Sequence, residues 1–275
     1  MALPPSATTG QRLVRAWLRL HLLLVLAFLL APIVAIAPLS FSAGSFLYYP
    51  LPGLSLRWYA DFFTSPFWLP ALLNSLIVAG ATTVLATALG TLAGIGLWLA
   101  PFPGRALVLP AILAPPVVPV IVVAVGVYFA FAAAGLANSL TGLVLAHTAL
   151  AAPFVVVTVQ ATLAGFDRGL LRAAASLGAH PLLAFRRVML PLILPGVVSG
   201  ALFAFVTSFD EVVVALFLTG PGQRTLPRQM FSGINENISL TIAAAATMLV
   251  ALSIALMAAV EALRRRGERL RGHPG

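Results

Sequence analysis

Two carboxylates stand side by side in an apolar neighbourhood, Asp210 and Glu211 in the stretch SFDEVVVALFL. Ionisable groups inside an apolar span are costly to bury and mark function by default. Adjacent acids without a companion base offer electrostatics: negative charge in a low-dielectric cleft attracts a multivalent cation strongly. Other chemistries lack their residues. The chain has no Cys, which removes disulfides, thiolate metal sites and Cys nucleophiles. Every one of the 16 basic residues is Arg. A phosphate loop of the G-x-x-x-x-G-K-[ST] kind is therefore absent, and any ATP must be bound by another chain. His21, His147, His180 and His273 are scattered without metal-ligand spacing and are read as packing or surface residues. The Asn-Ile-Ser at Asn237 is a glycosylation acceptor only in a eukaryotic chain.

The elements that must position the acids lie in a membrane. Of 275 residues 61% are hydrophobic and 8% charged, with a mean hydropathy of +1.05, too few charges to cover a water-facing globule. A helical span takes roughly 20 apolar residues. Six segments qualify, at about 19–41, 69–99, 106–132, 141–163, 193–218 and 241–262, which makes the chain an all-α polytopic membrane protein with a single transmembrane domain over residues 1–275. The first segment is too long for a signal-peptide core and is read as an uncleaved span. Arg12, Arg15, Arg19, Arg105, Arg168, Arg172, Arg186, Arg187, Arg264, Arg265, Arg266, Arg269 and Arg271 fall on one side, against Arg57, Arg224 and Arg228 on the other. The first side is then cytoplasmic, with both termini inside. The net charge of +9 reflects this orientation and not nucleic-acid binding.

Individual spans carry further signals. Pro110, Pro115, Pro116 and Pro119 predict a kink or break in the cytoplasmic half of the third. Gly90 and Gly94, and Gly196 and Gly200, have the four-residue spacing that lets helices approach closely. The loops at about 42–68 and 219–240 are long enough for short interfacial helices. On a continuous fifth helix Asp210 lies roughly 25 Å from the Ile193 end, toward the outer face, and Glu211 points about 100° away from it. Asn74, near the outer start of the second span, either lines the same path or is a packing amide, and Gln160 is read as a packing amide.

The segment RAAASLGAHPLLAFRRVMLP, residues 172–191, lies in a cytoplasmic loop spanning 164–192. It reads as two short helices meeting at a turn. Residues 170–177 form helix well and end at Gly178, the residue best suited to positive φ at a helix end. Pro181 suits the first turn of a second helix, on which Leu182, Phe185 and Met189 share one face. Pro191 marks the start of the next span. Two readings stand: the arginines sit among lipid phosphates, or the helix docks on a cytoplasmic partner.

The loop resembles the coupling loop of the integral membrane subunits of bacterial ABC importers, whose pattern is Glu-Ala-Ala, three residues, Gly, nine residues, Ile, one residue, Leu-Pro. Ala173, Ala174, Gly178, Leu190 and Pro191 stand in the expected places, Val188 replaces Ile, and Arg172 holds the position of the Glu. The resemblance extends over nearly the whole chain. The stretch SFDEVVVALFLTGPGQRTLPRQMFSGI from Ser208 onward is most similar to the second permease of spermidine/putrescine importers. It implies a type I importer permease: a five-helix core plus an N-terminal peripheral helix, in the inner membrane of a bacterium, without catalytic residues of its own. It further implies a cytoplasmic ATPase dimer that binds ATP and Mg, a second homologous permease in a heterodimer, and an extracytoplasmic binding protein. Arg172, Ala173, Ala174, Gly178, Phe185, Leu190 and Pro191 would then meet the ATPase, while Asp210, Glu211 and Asn74 are candidates for the path of a cationic amine. The alternative for the acids is pairing with Arg224, Arg228 or the partner permease to hold an outer gate.

Two other classes compete. A secondary transporter places ionisable groups at midplane on broken helices in paired halves, for which the Pro-rich third span has no counterpart. A membrane enzyme needs a base or metal ligands beside the acids, which the sequence does not supply.

Overall fold

In an apolar phase every backbone N–H and C=O must find its partner within the protein, and the described residues meet this with helices. The computed structural model describes residues 9–99, 101–236 and 238–270. Asn237, Arg271 and His273 lie outside them. In chain order the helices are α1 (Thr9–Leu39), α2 (Arg57–Thr64), α3 (Trp68–Leu99), α4 (Arg105–Val117), α5 (Val120–Ala133), α6 (Leu140–Leu163), α7 (Gly169–Ser176), α8 (Pro181–Ala184), α9 (Leu190–Phe209), α10 (Val213–Leu218), α11 (Leu226–Glu236) and α12 (Leu240–Leu270). A π turn, Phe185–Met189, joins α8 to α9. Among the described residues no β-strand occurs beyond one isolated bridge between Ser42 and Leu54.

Among the described residues four helices are long and apolar enough to cross a membrane, Leu13–Leu39, Trp68–Leu99, Leu140–Leu163 and Pro181–Phe209, and a bent pair makes up to five against the six expected spans. The third span is α4 and α5, bent by 102° at the Val118–Pro119 break. Pro119 has no N–H to continue the ladder, and Val118 before it is extended, as a residue preceding proline prefers. Apolar Leu240–Ala255 opens the sixth.

The fifth span corrects the sequence reading. Its helical run starts earlier, at Pro181, and stops at Phe209 instead of continuing to 218. The chain breaks over residues 210–212 and restarts as α10. Asp210 and Glu211 therefore sit at a corner, and the 100° offset of neighbours on one helix does not describe them. The cause is local: the Glu211 side chain takes the first N–H groups of α10, an alternative to continuing the α9 ladder.

The chain falls into two compact units, residues 1–64 with 233–275 and residues 65–232. In the first, α12 packs on α1 and α2, around Leu39, Leu240 and Ala243, with Leu51 and Trp58 against them. Thr241 donates to the Asp61 carboxylate at 2.6 Å and Trp58 Nε1 to the Ser42 carbonyl at 2.9 Å. In the second, α3, α6 and α9 pack on one another, and α6 is the most buried of the long apolar helices. Both glycine pairs are contacts with α6. A Cβ at Gly90 would lie 2.6 Å from that of Val155, and one at Gly94 would lie 3.0 Å from Val159 Cγ1. One at Gly200 would lie 2.9 Å from the Val155 Cα, and one at Gly196 would collide with the Thr162 hydroxyl. Between helices in lipid, where apolar burial gives no driving force, this close approach supplies the dispersion contact.

Candidate functional site

The break after α9 separates the two acids by role. Glu211 Oε1 accepts the Val214 N–H at 2.8 Å and Oε2 the Ala215 N–H at 3.1 Å, so the carboxylate caps α10. His147, on α6 and 1% exposed, points Nε2 at Glu211 Oε2 from 3.4 Å and Nδ1 at the Ser208 hydroxyl from 2.9 Å. In the neutral tautomer with the proton on Nε2, Nδ1 accepts from Ser208. Glu211 is thereby bound to α10 and faces His147 of α6, which Ser208 of α9 holds in turn.

Asp210 is different. It closes α9 through its backbone N–H on the Val206 carbonyl, 3.0 Å, while its side chain is exposed and has no hydrogen-bond or ion-pair partner among the described residues. The unsatisfied carbonyls at the end of α9 add partial negative charge beside it. The corner therefore presents one unneutralised carboxylate next to one that is structurally engaged.

Arg224 and Arg228 pair with neither acid among the described residues. Arg228 donates to the Thr219 carbonyl and hydroxyl and to the Gly220 carbonyl, and Arg224 to Gln229 Oε1 at 3.2 Å. Burial lowers the pKa of Arg228 from its ordinary value, and the charge of Arg224 lowers it further, yet it remains a cation. Asn74 donates to the carbonyls of Gly222 at 3.2 Å and Arg224 at 3.0 Å, and Ser75 accepts the Leu226 N–H at 2.7 Å. These two residues tie α3 to the 219–226 loop. From the sequence His147 is read only as a packing or surface residue, and Ser208 is not singled out. The signal was available, since His147 is an ionisable residue in mid-span like the acids.

At the other end of α9 the loop is two helices and a turn. Gly178 has φ of +82°, its N–H donates to the Ala175 carbonyl at 2.9 Å and the Ala179 N–H to the Ala174 carbonyl at 3.0 Å, which closes α7 as a Schellman-type end. Leu177, 89% exposed, stands at the tip. Pro181 starts α8, and Leu182, Phe185 and Met189 line one apolar cleft of about 590 Å³ with Leu92, Ile95 and Leu99 of α3. The second short helix is not separate from the fifth span but runs into it through the π turn, with Leu190 and Pro191 opening α9. Arg172, Ala173, Gly178, Arg186 and Arg187 are exposed, while Ala174, Phe185 and Leu190 are half-buried. The loop is thus a basic outer face on an apolar base.

A model of the family "Binding-protein-dependent transport system inner membrane component" matches residues 86–269. The spermidine/putrescine transport system permease protein PotC of Haemophilus influenzae is 34% identical over 244 residues, 88% of this chain and 94% of that protein. The putrescine transport system permease protein PotI of Escherichia coli is 33% identical over 241 residues, 85% of each. Among solved structures, a bacterial ABC transporter that imports the acidic polysaccharide alginate superposes with a TM-score of 0.76 over 94% of this chain and 99% of that chain, at 14% identity, a likeness of fold.

Proposed function

Because the chain belongs to the binding-protein-dependent transport system inner membrane components, the permease subunits of ABC importers, we propose that it moves polyamines, putrescine or spermidine, into the cytoplasm. The observation that carries the substrate class is the unpaired carboxylate of Asp210 at the end of α9. A carboxylate beside a helix C-terminus, where the partial charge is also negative, attracts a di- or polyamine. The sequence relatives named for spermidine and putrescine support the same class.

In this reading the whole chain is one permease domain with both termini in the cytoplasm, which puts Asp210 at the outer face and the 169–189 loop at the inner. A binding protein delivers the amine to the outer face, and Asp210 meets it first. Glu211 does not share that contact. It holds the corner rigid through α10 and His147. Asn74 keeps the 219–226 loop in place beside the entry. On the inner face Arg172, Ala173, Ala174, Gly178 and Phe185 enter or brace a cleft of the ATPase dimer, which binds ATP and Mg. Leu190 and Pro191 pass the movement into α9. A second, different permease completes the path.

The test is uptake of labelled putrescine and spermidine into proteoliposomes holding this chain with its permease, ATPase and binding-protein partners, with and without ATP. ATP-dependent uptake that falls in Asp210→Asn while the complex still assembles is the expected result. Hydrolysis that responds to the binding protein without movement of either amine overturns the polyamine assignment and leaves the importer.

A further inference from the structure

The loop that meets the ATPase is covalently joined to α6 on one side and, through α8 and the π turn, to α9 on the other. The helix α3 has no such covalent link, yet its end is gripped by the residues that open the loop. Arg168, directly before α7, donates from Nη2 to the Trp98 carbonyl at 2.5 Å and lies over the Trp98 ring with its guanidinium carbon 4.4 Å from the centroid. Phe166 meets the same ring edge-on, centroids 5.5 Å apart at 87°. Trp98 is the penultimate residue of α3, so its carbonyl is one of the four that lack an intrahelical donor, and a cation there also faces the negative end of the helix dipole. Between them Asp167 Oδ1 accepts the Gly169 N–H at 2.7 Å, starting α7 at a set angle to the clasp. Each of residues 166–169 thus has a part in seating the loop on α3.

The far end of α3 is held as well. Asn74 and Ser75 bind the 219–226 loop, 24 residues before Trp98, or about 36 Å along a straight helix. The helix is uninterrupted between the two attachments. We infer that α3 is a strut, and that the Arg168–Trp98 clasp makes it the route by which the ATPase-facing loop and the 219–226 loop sense each other, with Arg168 a positioning residue for coupling. The inference rests on the docking reading of the 169–189 loop. It adds α3, through a side-chain link, to the two helices that the chain itself connects.

The experiment uses the assembled importer in proteoliposomes and measures the factor by which its loaded binding protein stimulates ATP hydrolysis. Arg168→Gln, Arg168→Lys, Trp98→Ala, the Arg168→Gln/Trp98→Ala double variant and Gly178→Trp are compared with wild type. Basal hydrolysis and assembly are recorded for each. A residue that only stabilised the fold would change assembly and not the stimulation factor of the complexes that form. We expect Arg168→Gln and Trp98→Ala each to lower that factor about fivefold or more, the lower end of ordinary coupling strengths. Trp98→Ala removes the ring and leaves the backbone carbonyl, so the double variant should fall little further than Arg168→Gln, which already takes the cation from both. Arg168→Lys, which keeps a cation over the ring but not the planar fork, should fall between. Wild-type stimulation in Arg168→Gln and Trp98→Ala, with loss in Gly178→Trp, overturns the clasp and leaves the docking reading. Wild-type stimulation in all variants overturns both. Should Arg168→Gln fail to assemble, Arg168→Lys and Trp98→Ala decide: reduced stimulation in either supports the clasp, and wild-type stimulation in both overturns it.

Discussion

The corner at 210–211 and the loop at 169–189 lie at opposite ends of α9 and treat charge in opposite ways. At the corner Glu211 engages two N–H groups and faces His147, Arg228 bonds Thr219 and Gly220, and Arg224 bonds Gln229, while the Asp210 side chain has no partner among the described residues. In the loop, Arg172, Arg186 and Arg187 are all exposed, and shape is supplied by a glycine turn and an apolar cleft. The difference follows from surroundings. A polar group packed between α6, the end of α9 and the 219–226 loop loses much of its contact with water and finds partners in the chain. A loop outside the membrane keeps its charges hydrated until a partner covers them. Fixed geometry at the corner suits a site that recognises a small cation, and an open basic face suits one that docks.

The sharpest way to break this contrast is at Gly178. Its φ of +82° is a backbone conformation that L side chains rarely adopt. Gly178→Trp should abolish ATP-driven uptake while the protein stays in the membrane, which membrane fractionation beside an uptake assay would read. Unchanged transport would remove the docking role.

Next in size is Asp210→Asn, which deletes the open charge and nothing that holds the fold. Amine uptake at sub-saturating concentration should fall about tenfold, corresponding to roughly 1.4 kcal/mol of lost attraction. Thermal stability should not change. A fall in stability as large as that from Glu211 variants would erase the division between the two acids.

Glu211→Gln should do the reverse. The side chain keeps one acceptor for the α10 N–H groups and loses its charge beside buried His147, so the melting temperature of the purified complex should drop by an amount equivalent to about 1 kcal/mol. Uptake should follow the amount of folded protein. A selective change in amine affinity at full stability would return Glu211 to the substrate path.

The smallest effect is expected at Arg172, where the coupling-loop pattern carries Glu. An exposed ion pair contributes up to about 1 kcal/mol. Arg172→Glu should therefore weaken ATPase association by no more than about fivefold, measured by copurification at rising salt. A larger loss would show that Arg172 is desolvated on docking and not merely hydrated beside it.

The membrane class, the six apolar segments, the break at the third span and the turn at Gly178 were legible in the sequence. Each depends on local chemistry: hydropathy over a window, the missing N–H of proline, the freedom of glycine. The Ala173–Ala174, Gly178 and Leu190–Pro191 spacing carried the family for the same reason, since a helix, a turn and a second helix are encoded in order along the chain. The close spacing of Gly90 with Gly94 and of Gly196 with Gly200 showed that something packs there. Only the tertiary structure identified α6 as the partner of both pairs.

What the sequence did not reveal depends on residues far apart in the chain. The fifth span reads as one helix to 218 because Val212 to Leu218 is as apolar as the stretch before it. It stops at 209 because the Glu211 carboxylate reaches the α10 N–H groups while His147, brought in from α6, holds it there. That choice separates the acids, leaving Asp210 free and Glu211 structural; the capping is local to residues 211–215, while the contact with His147 is set only by packing. The Trp98–Arg168 contact spans 70 positions and is of the same kind. Local composition sets which segments become helices in an apolar phase, and only their packing decides which of the few polar groups are consumed by structure and which are left to act.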